Sequence, residues 1–273
     1  MKLKLNEPAL SEKIPSRFLK KISPSAADQR ALAVTPVDPE ILANDFHDYS
    51  KTVVKKPWGY EYLIFQNQEV SVWILHIKKN YRTSFHCHLH KKTSIAVLSG
   101  EVLCLTLEEE IIRRPGEGMW FAEKVFHRTQ AISEDGVFIL EIETPVNKRD
   151  IIRFQDDHGR QSRGYETSDH MTGNVQNYHY ISLVDSKTYC NVTQRFGSCN
   201  VELVKCASSV EFQRVVSLCP WDTMSILNGQ VINKQQPMFY QPGDLLLCEE
   251  MGKAFHWQIQ DEVEVLLIRK IEV

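Results

Sequence analysis

From Trp58 onward the chain is written in short runs of β-branched, aliphatic and aromatic residues. YEYLIF, VSVWILHI, TSIAVLSG, EVLCLTL, MWFAE and VFILEIE follow at short intervals, many separated by Gly, Asn or Pro-Gly turns. Such runs predict antiparallel strands closing into a barrel or sandwich rather than alternating β and α units. The first fifty or so residues read differently. Pro8, Pro15, Pro24, Pro36 and Pro39 lie among small polar residues and predict a loosely packed arm that covers a sheet edge or a neighbouring subunit. Within it DPEILANDFHDYS fits a short helix, with Asp38 as N-cap and Pro39 at the first helical position. Residues 156–180 are polar and rich in Gly and Asn, which predicts a linker or a long excursion.

The second half of this β-rich text repeats the first. LSGEV at 98–102 answers LNGQV at 227–231, and RRPGEGMWFAE at 113–123 answers YQPGDLLLCEE at 240–250. KVFH at 124–127 answers KAFH at 253–256, and VFILEIE at 137–143 answers VEVLLIRKIE at 263–272. Gly100 to His127 and Gly229 to His256 are both intervals of 27 residues. Four ordered matches with one spacing held predict two homologous barrels. The expected organisation is an arm at 1–54, a metal-binding barrel at 55–155, a linker at 156–184 and a second barrel at 185–273.

Composition narrows the function classes. The 273 residues are 42% hydrophobic and 25% charged, with a formal net charge of -3. That is ordinary for a globular chain and lacks the basic balance of a general nucleic-acid binder. There is no apolar run of transmembrane length, and the N-terminal MKLKLNEPALSEKIPSRFLKK lacks an apolar core, so neither a membrane span nor a secretory signal is expected. A cytoplasmic location follows as the expectation. Seven cysteines without a Cys-x-x-Cys pair are expected to be free thiols.

The candidate chemistry sits in FHCHLHKKTSIAVLSGE and FAEKVFHRT. His86 and His88, two apart on a strand, share a face, while Cys87 between them points away. A third imidazole from a partner strand, His127, can close three sides of a metal site. Neutral imidazole suits a divalent transition metal such as Zn, Fe, Mn or Ni. His90 continues the alternation and is a candidate additional ligand or base. In the second half the positions matching His86 and His88 are Val215 and Ser217, so that barrel is expected to lack a full metal site, with His256 a polar residue.

The pattern His-x-His, Gly, Pro-Gly and distal His, carried here by His86, His88, Gly100, Pro115, Gly116 and His127, resembles the cupin superfamily. That implies an all-β fold of two cupin (jelly-roll) barrels behind the arm. Thr93 stands where the family motif places a glutamate ligand. A narrower resemblance covers about residues 55–160: KKPWGYEYL and DIIRFQDDHGR look like the flanks of the cupin domain in type II mannose-6-phosphate isomerases. It implies a sugar or sugar-phosphate substrate; from charge and composition no nucleic-acid or membrane partner is expected, and a homodimer is left open.

Glu141 and Glu143 share a strand face and are candidates for the base of an aldose–ketose isomerisation. Arg82 and Arg160 are candidates for phosphate, whose oxygens match the guanidinium fork. The bland alternative for Asp150, Arg153, Asp156 and Arg160 is a salt-bridged strap that closes the barrel, and Trp58, Trp73 and Trp120 read as packing. Three functions stay open: a metal-dependent sugar-phosphate isomerase relative, a non-catalytic small-molecule-binding or regulatory cupin, and a three-His non-haem iron oxygenase.

Overall fold

The computed structural model describes residues 18–37, 47–161, 163–173, 192–218, 222–234, 238–248 and 257–271. The strands are β1 (Leu19–Ile22), β2 (Val53–Lys56), β3 (Gly59–Gln66), β4 (Ser71–Ile77), β5 (Phe85–Cys87), β6 (Lys92–Ser99), β7 (Val102–Thr106), β8 (Glu110–Arg113), β9 (Gly118–Phe121) and β10 (His127–Ala131). They continue as β11 (Val137–Thr144), β12 (Ile152–Gln155), β13 (Met171–Thr172), β14 (Val192–Phe196), β15 (Cys199–Cys206), β16 (Thr223–Asn233), β17 (Met238–Tyr240), β18 (Leu245–Leu247) and β19 (Trp257–Lys270). Helices α1 (Ala26–Val34) and α2 (Ser209–Leu218) complete the frame. No helix among the described residues is long and apolar enough to cross a membrane.

Two sheets enclose the first core. One runs β1-β9-β6-β11-β4-β3-β2-β13 and the other β12-β5-β10-β7-β8. Alternation along the strands sends Trp73, Leu75, Ile95, Val97 and Ile139 of the larger sheet inward to meet Val102, Cys104, Ile111 and Ala131 of the smaller. The opposite faces are also covered. Ile74, Ala96, Leu98, Leu140 and Ile142 pack against Val201, Leu203, Leu266 and Ile268 of a third sheet. The outside of the smaller sheet, with Phe85, Cys87 and Phe126, packs on Ala31 and Leu32 of α1.

Part of the arm is therefore built into the barrel. β1 adds in parallel to β9, Leu19 pairing with Gly118 and Ile22 with Phe121. Ser25 and Asp28 form a reciprocal cap on α1, which ends at Thr35 just before Pro36. Asp28 Oδ1 also accepts from the Phe126 amide at 2.9 Å, tying the arm to the segment before His127. The expected helix at 38–50 lies mostly outside the described residues; its described end is a 3₁₀ turn at Tyr49–Lys51 capped by Asp48. The expected linker likewise contributes structure: β13 pairs with β2, and a strap at residues 156–161 and 163–173 brings Arg160 and Tyr165 to the cavity of the first barrel.

The internal repeat is visible in strand register. Val97 pairs with Ile139 as Ile226 pairs with Val265, and Ser94 with Ile142 as Thr223 with Ile268. Ala96 pairs with Gly118 as Ser225 pairs with Leu245. Gly100 and Gly229 both take positive φ, at 73° and 80°, and a Cβ there would lie 2.6 Å and 2.5 Å from the carbonyl oxygens of Gly136 and Glu262. Only glycine fits both requirements. The halves face each other through reciprocal bonds. Ser94 Oγ donates to Gly243 O at 3.0 Å, and its counterpart Thr223 Oγ1 donates to Gly116 O at 2.9 Å.

Among the described residues the second half is one six-stranded sheet, β14-β15-β19-β16-β17 with β18 on β16, rather than a closed barrel. Phe212 and Val216 of α2 bury against its far face with Met224, Val265 and Leu267. Val215 and Ser217, the counterparts of His86 and His88, sit on this helix, so the equivalence drawn from spacing ends there. His256 lies outside the described residues.

Candidate metal centre

His86, His88 and His127 converge. Each offers one ring nitrogen, and these atoms all lie within 4.8 Å of one another. Register brings them together: His127 opens β10 and pairs directly with His86 on β5. His88 follows β5 immediately on the same face, while Phe85 and Cys87 point out to α1. Phe121 stacks on His127 at 4.3 Å between centroids and closes the apolar side.

The ring orientations are fixed by backbone. Nδ1 of His86 lies 2.8 Å from Ser84 O, Nδ1 of His127 lies 3.0 Å from Val125 O, and Nδ1 of His88 contacts Asp150 O. A carbonyl only accepts, so each Nδ1 carries the proton and each Nε2 keeps its lone pair. Nε2 of His88 and of His127 is buried with no hydrogen-bond partner among the described residues. Burial holds His86 and His88 well below the usual imidazole range, and pushes His127 down to about 4. Three neutral imidazoles with inward lone pairs are the donor set a borderline divalent metal takes, and the Nδ1–carbonyl bonds are the support such ligands use. The residues therefore fit the metal that their spacing implies.

Thr93 faces the same interior. It is 0% exposed, on the face of β6 shared with Ile95 and Val97, and its Oγ1 has no hydrogen-bond partner among the described residues. Beside the triad lies a cavity of about 50 Å³ lined by His86, His88, Lys91, Glu141, Glu143 and Lys148, with Lys56, Glu61, Arg153, Arg160 and Tyr165 around it. Both candidate bases thus point inward. Burial raises Glu141 to about 7, opposed by the nearby Lys148 ammonium. Glu143 is held down at about 2: burial pushes it up, but Lys148 and Lys91 outweigh burial. Lys91 donates to Glu143 at 2.6 Å, and Lys148 stands 3.2 Å from Glu143 and 3.8 Å over the Trp73 ring.

The strap flanks this cavity. Tyr165 donates to Glu61, and Glu166 pairs with Lys56 and with Arg160 at 2.6 Å. Arg160 also grips Asp156, and Arg153 donates to the Arg163 and Gly164 carbonyls. Arg160 reaches the cavity with its charge already met by carboxylates. Arg82 is not among the residues lining it: its guanidinium is bidentate to Asp157 on the surface. His90 lies outside the three-histidine cluster. It is exposed because the strand has ended at Cys87, and its amide, with that of Leu89, donates to the Asp150 carboxylate.

Sequence reasoning missed Glu61, Lys91, Lys148, Tyr165 and Glu166. Glu61 alone left a signal, since it shares inward parity with Leu63 in an apolar strand. The others lie in polar text that reads as solvated surface.

Residues 43–156 match the family described as mannose-6-phosphate isomerase C-terminal. The comparison with curated proteins gives no match. Among solved structures the chain is similar to a putative sugar phosphate isomerase from Acidithiobacillus ferrooxidans, at 18% identity and TM-score 0.27 over 29% of this chain and 51% of that one. It thus spans about half the length of that protein. It is also similar to KdgF from Halomonas sp., at 11% identity and TM-score 0.32 over 38% of this chain and 90% of that one. A cupin 2 conserved barrel domain protein from Leptotrichia buccalis is matched at 8% identity and TM-score 0.30, over 83% of this chain and 92% of that one.

Proposed function

We propose, on the premise that residues 43–156 form a cupin-type domain of the mannose-6-phosphate isomerase C-terminal family, that this chain is a metal-dependent isomerase of sugars or sugar phosphates. The observation that carries the reading is one buried cavity holding imidazoles of the triad and a carboxyl group, Glu141, brought to about 7. His86, His88 and His127 would hold the divalent ion, which when bound supplies Lewis-acid polarisation of the substrate's carbonyl and hydroxyl oxygens.

Glu141 then takes a proton from the carbon beside the carbonyl and returns it to the neighbouring carbon. A pKa near neutrality suits both directions. Lys148 stabilises the ionised form, and Glu143 stays ionised and anchors the Lys91 and Lys148 ammoniums. The Tyr165–Glu166 strap covers one side of the cavity. The size of the cavity sets a condition, because 50 Å³ holds a few waters whereas small-molecule pockets run to about 300–1,000 Å³. A sugar phosphate enters only when the strap swings away, and Lys56 and Arg153 then lose Glu166 and face the phosphate.

The test is exchange of the C2 proton of mannose 6-phosphate in D2O, followed by NMR with metal-loaded protein. Exchange is expected, falling about 10²–10⁴-fold in Glu141→Gln. No exchange with sugar phosphates or free sugars refutes the isomerase. Two other readings each have an observation behind them. The small cavity favours a binding or regulatory cupin without turnover, and a triad with Thr93 in place of a carboxylate favours a three-His iron oxygenase. Iron as the resident metal, with oxygen consumption, separates the last from the others.

A further inference from the structure

Lys91 immediately precedes β6 and is 1% exposed. A buried ammonium is costly unless its charge and donors are met. Its Nζ donates to Glu143 Oε1 at 2.6 Å and to the Asn147 carbonyl at 3.1 Å. An ammonium has three donors, so one N–H has no acceptor among the described residues. Lys91 lines the cavity together with His86 and His88. Its charge also reaches all three imidazoles and makes each harder to protonate.

A fixed cation beside a cluster built to hold a cation is electrostatically adverse in a buried site. Glu143 relieves it only in part, because its carboxylate is shared between Lys91 at 2.6 Å and Lys148 at 3.2 Å. Lys56, Lys148, Arg153 and Arg160 are matched by Glu61, Glu141, Glu143 and Glu166 within the cavity wall and strap. What relieves the remainder is a negatively charged ligand lying between the triad and the spare N–H. The 50 Å³ of space limits the part of the ligand held there to a few heavy atoms.

We propose that Lys91 and the triad are the two ends of one oxyanion subsite, which takes a ligand bearing oxygens on adjacent carbons: an enediolate, or a 2-hydroxy or 2-oxo carboxylate. One oxygen rests at the triad and the other accepts from Lys91 Nζ. This deepens the isomerase reading and rests on its metal centre, and it adds a preference for anions over neutral diols of the same shape. Glu143 competes with the ligand for Lys91 and so sets the affinity.

Glycolate and its neutral analogue ethylene glycol are the probes, titrated calorimetrically into zinc-loaded full-length protein with zinc content measured in every sample. Wild type binds glycolate and not ethylene glycol. Glu143→Gln, which frees Lys91, is expected to bind glycolate about threefold or more tighter. Because Lys91→Met alone strands a buried carboxylate and risks misfolding, the comparison uses the double variant Lys91→Met/Glu143→Gln. It is expected to lose about tenfold or more relative to Glu143→Gln, as when a charge-assisted hydrogen bond is removed, with zinc content unchanged. Equal glycolate affinity in the two variants, or no glycolate binding in wild type and Glu143→Gln, overturns the subsite. Zinc missing from wild type overturns the metal centre instead, and the same titrations of the metal-free chain still show whether glycolate binding depends on Lys91.

Discussion

Glu143 lies directly opposite Thr93 in the pairing of β11 with β6, both on the barrel interior. A carboxylate thus stands one strand away from the position where the cupin motif carries its glutamate, and Lys91 and Lys148 hold it there. The Thr93 hydroxyl meanwhile has no hydrogen-bond partner among the described residues. Restoring the motif is informative for that reason. Thr93→Glu is expected to tighten zinc binding about tenfold or more, the scale on which supporting groups alter metal affinity. Competition titration against a chelator at one pH reads the change, since ligand protonation couples to affinity. Unchanged affinity would mean that the Thr93 side chain does not reach the ion.

Asp150 supports the triad from behind. Its carboxylate accepts from the Leu89 and His90 amides at 2.8 Å each, and its carbonyl fixes His88. Asp150→Ala is expected to lower zinc affinity about 10–100-fold, with Asp150→Asn falling between it and wild type. Chelator competition checks the order of the three proteins. Equal affinities would show that the turn holds its shape without the carboxylate.

Glu141 gives a signed pH dependence. Its folded pKa of about 7 lies above the ordinary 4.5, so between those values the folded protein binds more protons than the unfolded chain. Its contribution is full below about 4.5 and is lost as pH rises through 7. The depressed histidines act in the opposite sense below 6.5, so the comparison must be a difference. Urea midpoints of metal-free wild type minus those of Glu141→Gln are expected to fall from pH 5 to pH 8. A flat difference would show that Glu141 titrates in its ordinary range.

The strap rests on Glu166, held down at about 2 because the charges of Lys56, Arg153 and Arg160 outweigh its burial. Glu166→Ala leaves those buried cations short of a partner, which costs about 3–5 kcal/mol. Chemical denaturation and faster amide exchange across 160–170 report it. Exchange that rises equally over the whole barrel would mean general destabilisation rather than strap opening.

The parts legible in the sequence are those with local signatures. His-x-His parity, turn glycines and alternating strands are written within a few residues, and they led to the three histidines and the shared face of Glu141 and Glu143. The repeat was legible because Gly100 and Gly229 meet the same backbone constraint. What stayed hidden depends on partners far away in sequence. Lys56 meets Glu166 and Lys91 meets Glu143, and nothing in either local segment distinguishes a buried pair from two solvated charges. The parallel pairing of β1 with β9 is equally non-local. At 209–218, FQRVV continues the apolar text of its neighbours, and only packing of Phe212 and Val216 on the third sheet reveals a helix.

The metal centre is tested most directly by elemental analysis of protein purified without chelator, alongside His88→Ala prepared identically. About one divalent transition ion per chain is expected in wild type, as for a closed set of imidazole ligands, and none in His88→Ala. Full metal content in the variant, or a wild type that takes up no ion even after reconstitution, would contradict the assignment of His86, His88 and His127 as ligands.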